Sequence, residues 1–324
     1  MLFREFSRQV TSCFQINTLC AALITLLFYS YAAAQNSYKT ELQRWRSQTE
    51  AEIKSDDGWL TVAGFFWLKE GANSIGSNLS NDIVLPDSAP ARVGTLEYKN
   101  GKVTLAITDG IKATSKDQPV TTLEMKSDEL QKPDIVAVGD VTFHIIKRGG
   151  RYAVRVKHRN SEMRRAFTGL RWFPASEGYR VKARFIAYDQ PRKILIPSVL
   201  GYEDEMTSPG YVLFNLAGKE RRLEPVVSGE DKLFFIFRDL TSGKTTYPGG
   251  RFLYTELPKD GEVIMDFNRA INPPCAFTPF ATCPLPPRQN WLNVAVEAGE
   301  LNYHYEKNSQ TKEAKSNTRR IKQG

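Results

Sequence analysis

The stretch "VTFHIIKRGGRYAVRVKH", residues 141–158, decides the fold. Two runs rich in β-branched and aromatic residues flank Gly149-Gly150, the dipeptide that closes a tight hairpin because glycine adopts positive φ freely. The same grammar recurs down the chain. "YVLFNLAGKERRLEPVV" (211–227) turns at Gly218, "VVSGEDKLFFIFRDL" (226–240) at Gly229, and "RFLYTELPKDGEVIMDFN" (251–268) at Asp260-Gly261. Short strands at even spacing predict an all-β protein with mostly antiparallel pairing. One helical period precedes them. In "NSYKTELQRWRSQTEAEIKSDD" (36–57), Leu42, Trp45, Thr49 and Ile53 share a face, which predicts an amphipathic helix that Gly58 ends.

The ends carry a different signal. Arg4 and Arg8 precede the apolar "LCAALITLLF" and the small residues "AAAQ", the pattern of a secretory signal peptide over 1–34 with cleavage after Ala34. An uncleaved membrane anchor is the alternative. With cleavage the chain is secreted or periplasmic and has no transmembrane span. The tail 306–324 is polar and carries six Lys and Arg against two Glu, so much of the formal net charge of +8 lies outside the folded body. A nucleic-acid protein concentrates its basic charge on the domain, so no nucleic-acid partner is expected. There is no P-loop, GxSxG, HExxH or long-period repeat, and no cofactor is implied.

Between the ends, the polar break "HRNSEMRR" (158–165) divides the body. The expected order is a helix over 35–57, a β-sandwich over 58–163 and an antiparallel β-barrel-like domain over 164–305.

Two features of the second half suggest chemistry. With Pro258–Gly261 as the loop of the 251–268 hairpin, Arg251 faces Asn268, and Asp266 lies diagonally across. Tyr247, Arg269 and Asn272 come in on the segments that enter and leave that end. Arg251 there could fork onto a ligand carboxylate or phosphate, with Asp266 orienting it. The structural alternative is an internal Arg251–Asp266 ion pair, with the asparagines tying down turns. The expectation taken forward is a small anionic or polar ligand at Tyr247, Arg251, Asp266, Asn268, Arg269 and Asn272. Second, Cys275 and Cys283 stand in the proline-rich "NPPCAFTPFATCPLPP" (272–287). An exported pair reads as a disulfide that staples the loop. A nucleophilic cysteine and a metal site are the other two readings, and with only His144, His158 and His304 in the chain, no metal site is expected. The rival classes are therefore a hydrolase-type enzyme using Asp266 or Cys275, and a structural or interaction module of the cell envelope.

Two resemblances add to this reading. "GANSIGSNLSNDIVLPDSAPARVGTLEYKNGKV" (71–103) resembles the opening of a forkhead-associated domain, a β-sandwich that binds phosphothreonine peptides. Asn81-Asp82-Ile83 matches its pattern. Ser77 replaces the arginine, however, and "SAPARVGTLEY" replaces the block that would hold phosphate, so the resemblance implies the sandwich without the binding. The longer resemblance is to domain-of-unknown-function family 1684. It rests on "DGWLTVAGFFWLKEGANSIGSNLSNDIVLP" (57–86), "AFTGLRWFP" (166–174), "YRVKARF" (179–185), "TYPGGRFL" (246–253) and "DFNRAINPPCAFTPFATCPLPPRQNWLNVAVEAGE" (266–300). It implies a shared fold and carries no catalytic residues with it.

Overall fold

The computed structural model describes residues 37–130 and 132–303. The signal-peptide reading of 1–34 and the tail 306–324 lie outside the described residues. Contacts divide the chain into two units, 1–48 and 49–324. The described part of the first is helical, and the helix runs over 37–54. Leu42 and Thr49 are buried on it and Trp45 and Ile53 half-buried, the apolar stripe its spacing predicts.

The 141–158 hairpin forms as read. Val141–Arg148 pairs with Arg151–His158 out to Arg148↔Arg151. Gly149 and Gly150 turn between them at φ of 53° and 78°, the doubly left-handed turn that only glycine makes without strain. Val62–Trp67 pairs on the far side of Arg151–His158, and these strands belong to a six-stranded sheet. A five-stranded sheet (Ile83–Val84, Gly71–Gly76, Gly94–Lys99, Lys102–Ile107, Thr122–Glu124) lies against it. Ile75, Leu96 and Leu105 from the second sheet meet Phe143, Ile145, Val154 and Val156 from the first in one apolar core.

The other face of the 141–158 hairpin is covered as well. Phe65, Ile146 and Ala153 pack there with Leu200 and Phe280. Strands buried on both faces lose the polar-apolar alternation, and any charged residue in them is carried inside. His144 and Arg155, opposite each other in the register, are carried inside in this way.

The second half departs from expectation. It contains a four-stranded sheet (Lys219–Leu223, Glu203–Leu216, Arg180–Pro197, Glu262–Asp266) and a three-stranded one (Val226–Ser228, Lys232–Phe237, Arg251–Glu256). Each is a linear series of strands whose ends do not pair, and among the described residues no sheet closes into a barrel or curls strongly. The protein is mostly β, with one N-terminal helix and several open sheets. The 251–268 segment explains the difference. Asp260 and Gly261 do turn the chain at positive φ. Its two strands then separate: Arg251–Glu256 pairs with Lys232–Phe237, and Glu262–Asp266 pairs with Arg180–Arg184. Leu253 meets Val263 and Met265 within one core instead of beside them in one sheet. Both strands are apolar enough to be covered on a face, and packing sheet on sheet buries more of that surface than a lone hairpin would.

Candidate functional site

The six residues expected to converge are distributed among several networks. Arg251 is fully buried. Its Nη2 donates to Asp239 at 2.6 Å and to the Val296 carbonyl at 2.9 Å, and its Nη1 donates to the Ala298 carbonyl. The partner is Asp239 and not Asp266, because the two strands belong to different sheets. Asp266 caps the turn Phe267–Arg269, accepting from the Asn268 N–H at 3.2 Å and its Nδ2 at 3.0 Å, with Arg269 Nε at 3.5 Å. Asn268 also exchanges hydrogen bonds with the Ser176 backbone. Asn272 donates from its N–H and its Nδ2 to the two carboxylate oxygens of buried Glu300. Tyr247 donates to the Cys275 carbonyl at 3.2 Å, and burial pushes its phenol up to about 12. Thus Asp266, Asn268 and Arg269 come together, while Arg251, Asn272 and Tyr247 each engage other groups.

The disulfide is not formed. Cys275 and Cys283 are free thiols whose sulfurs stand 2.7 Å apart, beyond the roughly 2.05 Å of an S–S bond. The Cys275 N–H donates to Cys283 Sγ at 3.1 Å. The Cys283 thiol pulls Cys275 below the ordinary thiol range, and the same interaction with burial pushes Cys283 up. The loop does not need a covalent staple. A turn at Pro274–Ala276 follows Pro273, and Val199 N–H donates to the Cys283 carbonyl. Proline fixes much of the rest.

A concavity lies nearby. A cavity of about 610 Å³ is walled by Trp59, Phe234, Phe252, Tyr254 and Phe277, with Arg148, Arg155, Asp204, Asn272, Thr282 and Cys283 supplying polar groups. Cross-strand register builds the aromatic wall. Phe234 and Tyr254 are opposite each other on Lys232–Phe237 and Arg251–Glu256, their rings stacked at 4.6 Å, and Phe252 meets Phe234 edge-on at 4.8 Å.

The polar end comes from the two-faced hairpin. Arg148 Nε and Arg155 Nη2 both donate to the Thr282 hydroxyl, at 3.1 and 3.2 Å. Arg148 also holds Asp128 at 2.7 Å. Arg155 is 6% exposed and has no such partner: among the described residues no carboxylate lies within ion-pairing distance of it. Its cation lies 5.2 Å from the Trp59 ring centre. Burial, then the neighbouring Arg148 charge, lowers its pKa to about 10. Of the six residues expected from sequence, only Asn272 lines this cavity. Arg155 and Trp59 were missed. The available signal was a lone arginine between Val154 and Val156 in a strand too apolar to be half-exposed. Among the described residues no three of His, Cys, Asp and Glu cluster as a metal site requires.

Fold and site together define a mostly β protein of open sheets with an aromatic-walled cavity whose polar lining sets Arg148 and Arg155 beside Glu52, Asp57 and Asp204. Residues 165–301 match the model of the family described as "Protein of unknown function (DUF1684)". It is similar to the uncharacterized protein from gene locus rrnAC0354 of Haloarcula marismortui, solved by NMR, at 34% identity over 43% of this chain and 78% of that one, with a TM-score of 0.36. It is also similar to the FhaA forkhead-associated domain in complex with the intracellular domain of Rv3910, at 19% identity over 28% of this chain and 86% of that one (TM-score 0.21). A structure from a study of phosphothreonine-dependent forkhead-associated domain interactions matches at 20% identity over 28% of this chain and 79% of that one (TM-score 0.20). The likeness to the forkhead-associated fold is weak and does not identify the chain as such a domain. No curated protein matches the chain.

Proposed function

We propose that the chain binds a small organic anion in the aromatic-walled cavity, with the anionic group on Arg155 and a flat apolar body against Phe234, Phe252 and Trp59. One observation carries the reading: Arg155 is a buried guanidinium without a carboxylate partner. A buried charge is ordinarily paired, and an unpaired one costs several kcal/mol, on the order of the desolvation penalty per ion. Arg251, buried more deeply still, is paired to Asp239, whereas Arg155 has no carboxylate at ion-pairing distance among the described residues. A bound carboxylate, sulfonate or phosphate would supply the missing charge, and five aromatic side chains favour a planar remainder.

The test is calorimetric titration with naphthalene-2-sulfonate, an aromatic anion charged at every accessible pH. The expected result is 1:1 binding that weakens at least tenfold in Arg155→Gln and partly recovers in Arg155→Lys. Binding of equal strength in the wild type and Arg155→Gln would refute it.

A further inference from the structure

A titratable side chain stands across the hairpin from Arg155. In the register of the hairpin its cross-strand partner is His144, on the same covered face. His144 is 8% exposed, and its Nδ1 is sealed from solvent without a hydrogen-bond partner. The charged groups around it are mostly of one sign. Arg155 and Lys157 come from the facing strand and Arg148 from its own; Lys157 stands 3.6 Å from Asp57, and Arg148 holds Asp128 of the turn Asp128–Leu130, so Arg155 is the cation of the three without a carboxylate at ion-pairing distance among the described residues. A neutral imidazole there faces a buried guanidinium that has no carboxylate partner, and protonating it would set two uncompensated positive charges opposite each other inside the protein. Burial and those charges lower its pKa to about 4.

Resting on the reading of Arg155 as an anion site, we propose that anion binding at Arg155 is coupled to protonation of His144, so that the cavity takes up a proton with its ligand. The mechanism is electrostatic. An anion on Arg155 cancels much of the field that keeps the facing imidazole neutral, and the imidazolium in turn adds attraction for the anion. Linkage is reciprocal, so each unit by which the anion raises the histidine pKa makes binding about tenfold tighter once the pH is below the unshifted value, the gain growing from nothing as the pH falls through the shifted one. The sensitive window lies between about 4 and the ordinary histidine value of 6.5. The site would retain aromatic anions in an acid compartment and release them near neutrality.

The experiment is titration with naphthalene-2-sulfonate from about pH 5 to 7.5, in two cationic buffers of different ionisation enthalpy that do not compete for Arg155. The probe does not titrate, so any pH dependence belongs to the protein. The expected result is about tenfold tighter binding at pH 5 and uptake approaching one proton near pH 5.5. His144→Gln should still bind at pH 7.5 but lose both effects. A second readout needs no variant: on adding the probe at pH 5.5, the His144 ring NMR signals should move to the imidazolium position. Arg155-dependent binding without proton uptake overturns the coupling and leaves the anion site standing. Uptake undiminished in His144→Gln, or an unmoved His144 signal, also overturns it and points to Asp204 on the cavity wall. Absence of Arg155-dependent binding at every pH overturns both.

Discussion

Arg251 and Asp239 form an ion pair at 2.6 Å from which solvent is wholly excluded. The cation also holds the Val296 and Ala298 carbonyls, and Asp239 Oδ1 accepts from Thr241 and from the Val296 N–H. The pair therefore fastens the segment 294–298 to strand Arg251–Glu256. Arg251→Met should destabilise by about 3–5 kcal/mol, because it leaves Asp239 charged and without its cation. Arg251→Met with Asp239→Leu should recover part of that loss. Urea denaturation of the three proteins measures both, and a single variant within 1 kcal/mol of wild type would show that the pair does not hold the fold.

The Asn268 side chain holds the Ser176 backbone at both its N–H and its carbonyl and donates to Asp266 from a fully buried position. Asn268→Ala should cost about 2–4 kcal/mol, since buried groups are left unsatisfied at roughly 1–3 kcal/mol each. It should leave naphthalene-2-sulfonate binding intact, because Asn268 does not line the cavity. A variant of full stability that loses binding would reverse the assignment of this residue from fold to site.

Glu300 is buried, and desolvation pushes its pKa from 4.5 to about 8 although Asn272 donates to both oxygens. The folded state holds its proton where the unfolded chain has released it. The stabilising contribution is therefore whole below about pH 4.5 and is lost as pH rises through 8. Glu300→Gln copies the protonated acid. Its stability relative to wild type should rise steadily from pH 5 to 8, as read by denaturation midpoints. A gap that stays constant over that range would mean that Glu300 is ionised throughout.

Cys275 and Cys283 are thiols of unequal character, one half-buried with a lowered pKa and one buried with a raised pKa. Thiolate is the reactive form, so iodoacetamide should label Cys275 first in the native protein. Both should label after denaturation without reductant. Intact mass and peptide mapping check the order. A protein that labels at neither position until it is reduced would contradict the free thiols.

Much of the local structure was legible in the residues alone. The helix stripe from Leu42 to Ile53 and the turns at Gly149-Gly150, Gly218 and Gly229 are short-range facts. They depend on periodicity and on where the chain tolerates positive φ. Three things were not legible. The 251–268 segment turns where Asp260-Gly261 says it should, yet its strands join different sheets, because strand partners are chosen by the surface each can bury and not by proximity in sequence. The barrel reading failed for the same reason. The cysteine pair was read from compartment and count, while bond formation depends on a separation that the surrounding prolines and backbone hydrogen bonds decide.

The site divides along the same line. The order of residues specifies glycine-turned apolar strands, a stripe-faced helix and charges set inside apolar runs. Whether such a charge meets a partner depends on what covers the strand. Arg251 meets Asp239 within the core, and Arg155 meets His144, Thr282 and an aromatic-walled cavity. Both are arginines at β positions among hydrophobic neighbours. Only the packing of one sheet on the next, which brings residues more than a hundred positions apart within hydrogen-bonding reach, leaves one paired and the other without a carboxylate.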